Sequence, residues 1–195
     1  MTGYEKIHEL CKSNNGIVTA AKVSENNIPS WYLSELLKKG ELVKIDRGIY
    51  ATEESDYDEY YFFQIKNKRC VYSYASALYL HGLTERIPYK KEVTVYKGYN
   101  SSHISDETIV HYVKKEIYQM GITECETVFG NIVAAYDKER TICDLIASRR
   151  DIDVEIFSKA IKAYSKDPDR DYKKLRQYAK EMKIQSKLDD ILEVI

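Results

Sequence analysis

Residues 26–52 read NNIPSWYLSELLKKGELVKIDRGIYAT, and three changes of pattern within them decide how the chain begins. Leu33, Leu36 and Leu37 gather on one side of a helix when successive residues are set about 100° apart. Pro29 suits the first turn of that helix, and Gly40 ends it. Glu41 to Thr52 then alternates as two short strands around Asp46-Arg47-Gly48, a hairpin turn signal.

Upstream, Tyr4, Ile7, Leu10 and Cys11 share one helical face before Ser13-Asn14-Asn15-Gly16 stops the pattern. Ile17-Val18 make an extended link, and Thr19 is a good N-cap for a second helix through about Glu25. Three helices followed by a two-stranded wing is the order of a winged helix-turn-helix, predicted over residues 1–55. The acidic run from Glu53 to Glu59 reads as the link to the next helix.

Residues 56–195 follow a different pattern. VYSYASALYLHGL (71–83) predicts a helix ended by Gly82, EVTVYKG (92–98) and TIVHYVKKEIY (108–118) predict strands, and TVFGNIVAAY predicts a hairpin about Phe129-Gly130-Asn131. Helices are expected at about 137–149, 153–165, 170–182 and 186–195. No internal repeat is visible. The fold class is therefore α+β: a winged helix-turn-helix, then a larger α+β domain with a helical C-terminus.

The 195 residues carry a net charge of −1, so there is no overall basic field, and a nucleic-acid contact must come from a local patch. With 44% hydrophobic and 31% charged residues, the chain has the composition of a folded globular protein. No stretch approaches a membrane span, and the N-terminus lacks the apolar region of a signal peptide, so the expected compartment is the cytoplasm. Cys11, Cys70, Cys125 and Cys143 form no pair or His-linked cluster of zinc-site spacing and are expected to be reduced, buried thiols.

The face of the third helix opposite the leucines holds Trp31, Ser34, Glu35 and Lys38. In a helix-turn-helix the second helix of the motif enters the major groove, with residues near its N-terminus reaching base edges. Ser30, Trp31, Ser34 and Lys38 are the groove-side candidates: the serines can donate to bases or phosphates, and Lys38 supplies charge. Glu35 either accepts from cytosine or pairs with Lys38 or Lys39. Trp31, the single tryptophan, meets either DNA or the second domain.

On the wing, Lys44 and Arg47 flank the tip beside Gly48, placed to set cations against phosphates or the minor groove. Residues 1–55 hold seven basic side chains, Lys6, Lys12, Lys22, Lys38, Lys39, Lys44 and Arg47, against eight acidic ones. Four of the seven fall between Lys38 and Arg47, so positive charge gathers at the end expected to meet DNA. In the second domain the pairs Lys90-Lys91, Lys114-Lys115 and Arg149-Arg150 extend the footprint if they share a face.

The run YLSELLKKGELVKIDRGIYAT, closing on Arg47-Gly48-Ile49-Tyr50, resembles the N-terminal winged-helix domain of the abortive-infection AbiE-type antitoxins of type IV toxin-antitoxin systems. SYASALYLHGLTERIP is similar to the helix that opens the antitoxin C-terminal domain, and DKERTICDLI to its later Glu-Arg-Thr helix. The three segments fall in the family's order. The resemblance implies an autorepressor that binds inverted repeats in double-stranded DNA at its own promoter, as a monomer that fills the repeats cooperatively. It further implies phage resistance through opposition to a nucleotidyltransferase toxin without a stable complex.

No catalytic residues, metal or cofactor are predicted. His8, His81, His103 and His111 show no nucleophile-elbow or metal-ligand spacing, and His81 sits at a helix end where an imidazolium would favour the dipole. The enzyme alternative is a nuclease: Glu181-Met182-Lys183 has a suitable spacing but lies in a helical stretch. Arg140 and Asp144 are i,i+4 partners on a helix that Asp137 caps. The other alternative is a protein-interaction module built on the eighteen tyrosines.

Overall fold

A computed structural model describes residues 1–193. The chain is a mixed α+β protein with a helical C-terminal region, and it divides into two compact units. The first comprises Met1–Phe63 together with Thr127–Asn131, and the second takes the remainder. The first unit thus extends past the expected boundary at residue 55 and takes in a short segment distant in sequence.

In the first unit, α1 (Gly3–Lys12), β1 (Ile17–Thr19), α2 (Ala20–Glu25), α3 (Trp31–Lys38), β2 (Val43–Asp46) and β3 (Ile49–Ala51) precede the start of α4 (Glu59–Lys66). Thr2 and Glu5 close α1 with a capping box, each side chain accepting from the other's backbone N–H. Thr19 caps α2 through the backbone N–H of Lys22. At the end of α3, the N–H groups of Gly40 and Glu41 donate to the carbonyls of Leu37 and Leu36, a Schellman arrangement.

The buried side chains Ile7, Cys11, Val18, Val23, Ile28, Leu33, Leu36 and Leu42 form one core. Where α1 meets α3 the packing leaves no room, because a Cβ on Gly3 would collide with the Tyr32 ring. The strands form an antiparallel sheet in the order β1-β3-β2.

Asp58, 1% exposed, gathers the segment distant in sequence. Its carboxylate accepts from Thr127 Oγ1 and from Asn131 Nδ2, and Asn15 Nδ2 donates to Asn131 Oδ1 at 3.1 Å. A buried carboxylate is tolerable only with such donors.

The second unit is built on a five-stranded sheet in the order β6-β5-β4-β8-β7, from β4 (Val71–Tyr72), β5 (Lys91–Tyr96), β6 (Thr108–Val113), β7 (Ile122–Glu126) and β8 (Ile132–Tyr136). Pairings β4-β5 and β7-β8 are antiparallel, while β4-β8 and β5-β6 are parallel. Its helices are α5 (Tyr74–Leu80), α6 (Lys115–Gln119), α7 (Lys138–Ala147), α8 (Val154–Lys166), α9 (Tyr172–Glu181) and α10 (Gln185–Leu192). Helix α7 is central, packing on α5, α8, α9 and α10 around Ile142, Leu145 and Ile146. The last two residues of the helix expected at 186–195 lie outside the described residues.

Two expected elements change. Val71 and Tyr72, read as the start of a helix, form the short strand β4, and the helix begins only at Tyr74. Residues 108–118, read as one strand, divide at Lys114, whose extended backbone ends β6 and caps α6. Among the described residues no helix is long and apolar enough to cross a membrane.

Candidate nucleic-acid interface

Helix α3 buries Leu33 and Leu36 and leaves Ser34, Lys38 and Lys39 exposed, with Ser30 exposed at its N-cap. Ser30 makes no side-chain capping bond. Its hydroxyl is therefore not committed to the helix.

Trp31 is 51% exposed. Its ring stacks on Tyr32 with centroids 3.8 Å apart, and Tyr4 meets both rings edge-on at 6.1 and 4.8 Å. The indole is thus supported from one side within the first unit, leaving half its surface open. Tyr32 is not among the expected site residues. Its signal in the sequence is only its adjacency to Trp31, and stacking of adjacent residues needs the helix geometry to be seen.

Lys38 in α3 and Lys39 at its C-cap differ. Lys38 Nζ lies 2.9 Å from Glu35 Oε1, which raises the lysine's pKa and lowers the carboxyl's. Of the roles open to Glu35, the structure has it pair with Lys38, in a contact that water screens. Lys39 Nζ sits 4.3 Å from the centre of the Tyr4 ring, a cation–π position at the edge of the same aromatic group.

On the hairpin, Lys44 and Arg47 are exposed. Asp46 accepts from the Arg47 backbone N–H, and Gly48 turns the chain at φ +74°, a conformation costly for residues with a Cβ. The Gly48 carbonyl accepts from the Ala20 N–H at 2.9 Å, fastening the turn to the start of α2.

The basic pairs of the second unit separate into two kinds. Lys114, Lys115 and Arg150 are exposed. Lys90 donates to the Asp106 carbonyl at 2.8 Å, and the Arg149 guanidinium lies 4.3 Å over the Phe157 ring, so both are engaged internally. Lys91 is half-buried on β5.

The acidic and basic groups of α7 are committed to contacts within the fold. Asp137 accepts from the Arg140 N–H as the cap of α7 and also contacts Lys174 and Tyr178. Glu139 accepts from Tyr164 Oη and the Asp171 N–H. Arg140, 0% exposed, donates through Nε to Asp144 at 3.0 Å and through Nη1 to the carbonyls of Ile117 and Met120, with its guanidinium 4.1 Å over Tyr136. Glu181 is the last residue of α9, and Lys183 follows in a left-handed turn, so neither lies on a strand.

His81 is the C-cap of α5. Its ring Nε2 lies 2.7 Å from the Tyr136 carbonyl, and burial lowers its pKa, which works against the imidazolium that would favour the helix dipole. All four cysteines are free and buried, and burial lifts their thiols to about 11 for Cys11 and Cys125 and about 12 for Cys70 and Cys143. At such values they are poor nucleophiles. Among the described residues no group of His, Cys, Asp or Glu side chains is arranged to hold a metal ion.

No protein-family model and no curated protein matches the chain. Among solved structures, the chain is similar to the crystal structure of the RV2827C protein from Mycobacterium tuberculosis, with 11% sequence identity and a TM-score of 0.49 over 91% of this chain and 75% of that one.

Proposed function

We propose that the first unit is a winged helix-turn-helix that binds double-stranded DNA, and that the chain is an autorepressing antitoxin of the AbiE type. The observation that carries the DNA reading is the order α1-β1-α2-α3-β2-β3 on a β1-β3-β2 sheet, with an exposed polar face on α3 and a cationic hairpin turn. In such a domain α3 enters the major groove, with Ser30, Trp31 and Ser34 nearest the bases. Lys38, Lys39, Lys44 and Arg47 set their charges against phosphates, and Gly48 lets the wing approach the backbone closely.

The antitoxin role rests on the resemblance in the three quoted segments. In this reading the protein works in the cytoplasm, fills inverted repeats at its promoter cooperatively as a monomer, and counters a nucleotidyltransferase toxin without a lasting complex. Lys114, Lys115 and Arg150 are the second-unit cations best exposed to add phosphate contacts; Lys90, Lys91 and Arg149 join them only by leaving their present positions.

The test is fluorescence anisotropy of the full chain on the DNA upstream of its own gene against a scrambled duplex, across a salt series. Sequence-preferring binding that weakens steeply with salt is expected. Equal, weak binding to both duplexes would contradict the repressor. Growth rescue of cells expressing the neighbouring toxin tests the second half, and failure to rescue would remove the antitoxin role.

A further inference from the structure

The second unit holds a cavity of about 330 Å³ walled by α5, β5, β6, the end of α7 and the start of α8. Its size is that of a small-ligand site. A connected set of polar groups forms one wall. His111 Nε2 lies 2.8 Å from Glu92 Oε2, the His111 ring stacks on Tyr74 at 3.9 Å, and Tyr74 Oη meets Ser148 Oγ at 3.1 Å.

Tyr74 itself has φ +48°, a left-handed conformation that a bulky residue adopts only when its surroundings enforce it. The buried Asp144 carboxylate acts electrostatically on both the Tyr74 and His111 side chains, and its Oδ2 has no hydrogen-bond partner. The charge of Asp144 is paired with Arg140 at 3.0 Å, so Oδ2 is a buried acceptor left unfilled rather than a free charge.

Carboxylates outnumber basic groups in the lining, although Glu92 is paired with His111 and Asp153 Oδ1 caps α8 through the N–H groups of Glu155 and Ile156. Among the described residues that line the cavity, Glu92, Asp151 and Asp153 are carboxylates and none is lysine or arginine. Ile109, Ile152 and Ile156 supply an apolar side, with Ile109 on the edge strand β6 left 43% exposed. A site of this kind attracts a positive head and shelters an apolar body.

We propose that this cavity binds a small primary amine with an apolar or aromatic body. The ammonium group sets against Glu92, Asp151 and Asp153, and the body lies on the isoleucines. The proposal stands apart from the DNA reading, since every group it uses belongs to the second unit and none is among the proposed DNA contacts.

The experiment is a titration of the ¹⁵N-labelled full chain with phenethylamine, with phenylacetate as a control of similar body and opposite charge. Phenethylamine should give saturable shifts at the amides of Tyr74, His111, Ser148 and Ile156, and phenylacetate none. Glu92→Gln should weaken the amine by about tenfold or more. Because Glu92 is half-buried, Asp151→Asn and Ile109→Lys, both at exposed positions, provide variants whose spectra should remain those of the folded chain. Both should also weaken phenethylamine. Absence of shifts at millimolar phenethylamine, equal shifts from phenylacetate, or unchanged titrations in Asp151→Asn and Ile109→Lys would overturn the site.

Discussion

In α3, Lys38 and Glu35 pair at 2.9 Å on the outer surface; in α7, Arg140 and Asp144 pair at 3.0 Å with both side chains sealed from solvent. The two distances are nearly equal and the consequences differ. Water screens the first pair, which costs the helix little to lose and leaves its charges available to a partner. The second replaces water with protein: Arg140 also donates to two carbonyls and lies over Tyr136, so removing one member strands the other charge in the core. The Lys38–Glu35 pair is therefore a solvated surface contact, while the Arg140–Asp144 pair on α7 is part of the scaffold.

The largest effect expected from this contrast is on stability. Arg140→Ala should lower the unfolding free energy by about 3–5 kcal/mol in urea denaturation, because it leaves Asp144 buried and unpaired. Replacing both partners, Arg140→Met with Asp144→Leu, should recover most of that loss. If Arg140→Ala and Lys38→Ala shift the midpoint equally, the two helices do not differ as described. Next in size, Leu36→Ala should cost about 3 kcal/mol, since Leu36 is fully buried in the core of the first unit and its removal opens a cavity.

A smaller effect sharpens the picture of Asp144. Burial lifts its carboxyl to about 6 against the pull of Arg140. A folded-state value above the unfolded one means that the native state holds the proton more tightly. The stabilising contribution of Asp144 is then complete below about pH 4 and lost as pH rises through about 6. Wild-type stability should fall relative to Asp144→Asn across that window and run parallel above it. A difference that stays constant with pH would place the titration elsewhere. Smaller still, Thr2→Ala should cost about 1 kcal/mol by opening the capping box of α1.

The same contrast explains what can be read from the sequence. Leu33 and Leu36 at helical spacing, Thr19 before the second helix and Arg47-Gly48 between alternating residues are local signals, and each lies where its pattern places it. The role of α7 is legible only in part. Arg140 and Asp144 can be paired by spacing, but an i,i+4 pair looks the same exposed or buried, and only the surrounding helices seal it. Val71-Tyr72 reads as helix because two residues cannot show a period and aromatic residues continue into α5; the pairing to β5 and β8 that makes them a strand is non-local. The hold of Asp58 on Thr127 and Asn131 is likewise invisible in sequence, spanning about seventy residues. At the candidate interface the exposed polar face and a pairing of Glu35 with a neighbouring lysine are expected from the pattern, while the choice of Lys38 as that partner and the stacking of Trp31 on Tyr32 emerge only in three dimensions.

The central claim is that the exposed charges of the first unit meet DNA. Its most direct test is the salt dependence of binding to the upstream duplex, compared between the wild type and the double variant Lys44→Ala with Arg47→Ala, both residues lying on the exposed hairpin. The variant should bind every duplex more weakly, and its slope of log affinity against log salt should be shallower by about two, one for each phosphate that it no longer neutralises. Equal slopes and equal affinities for the two proteins would contradict the account.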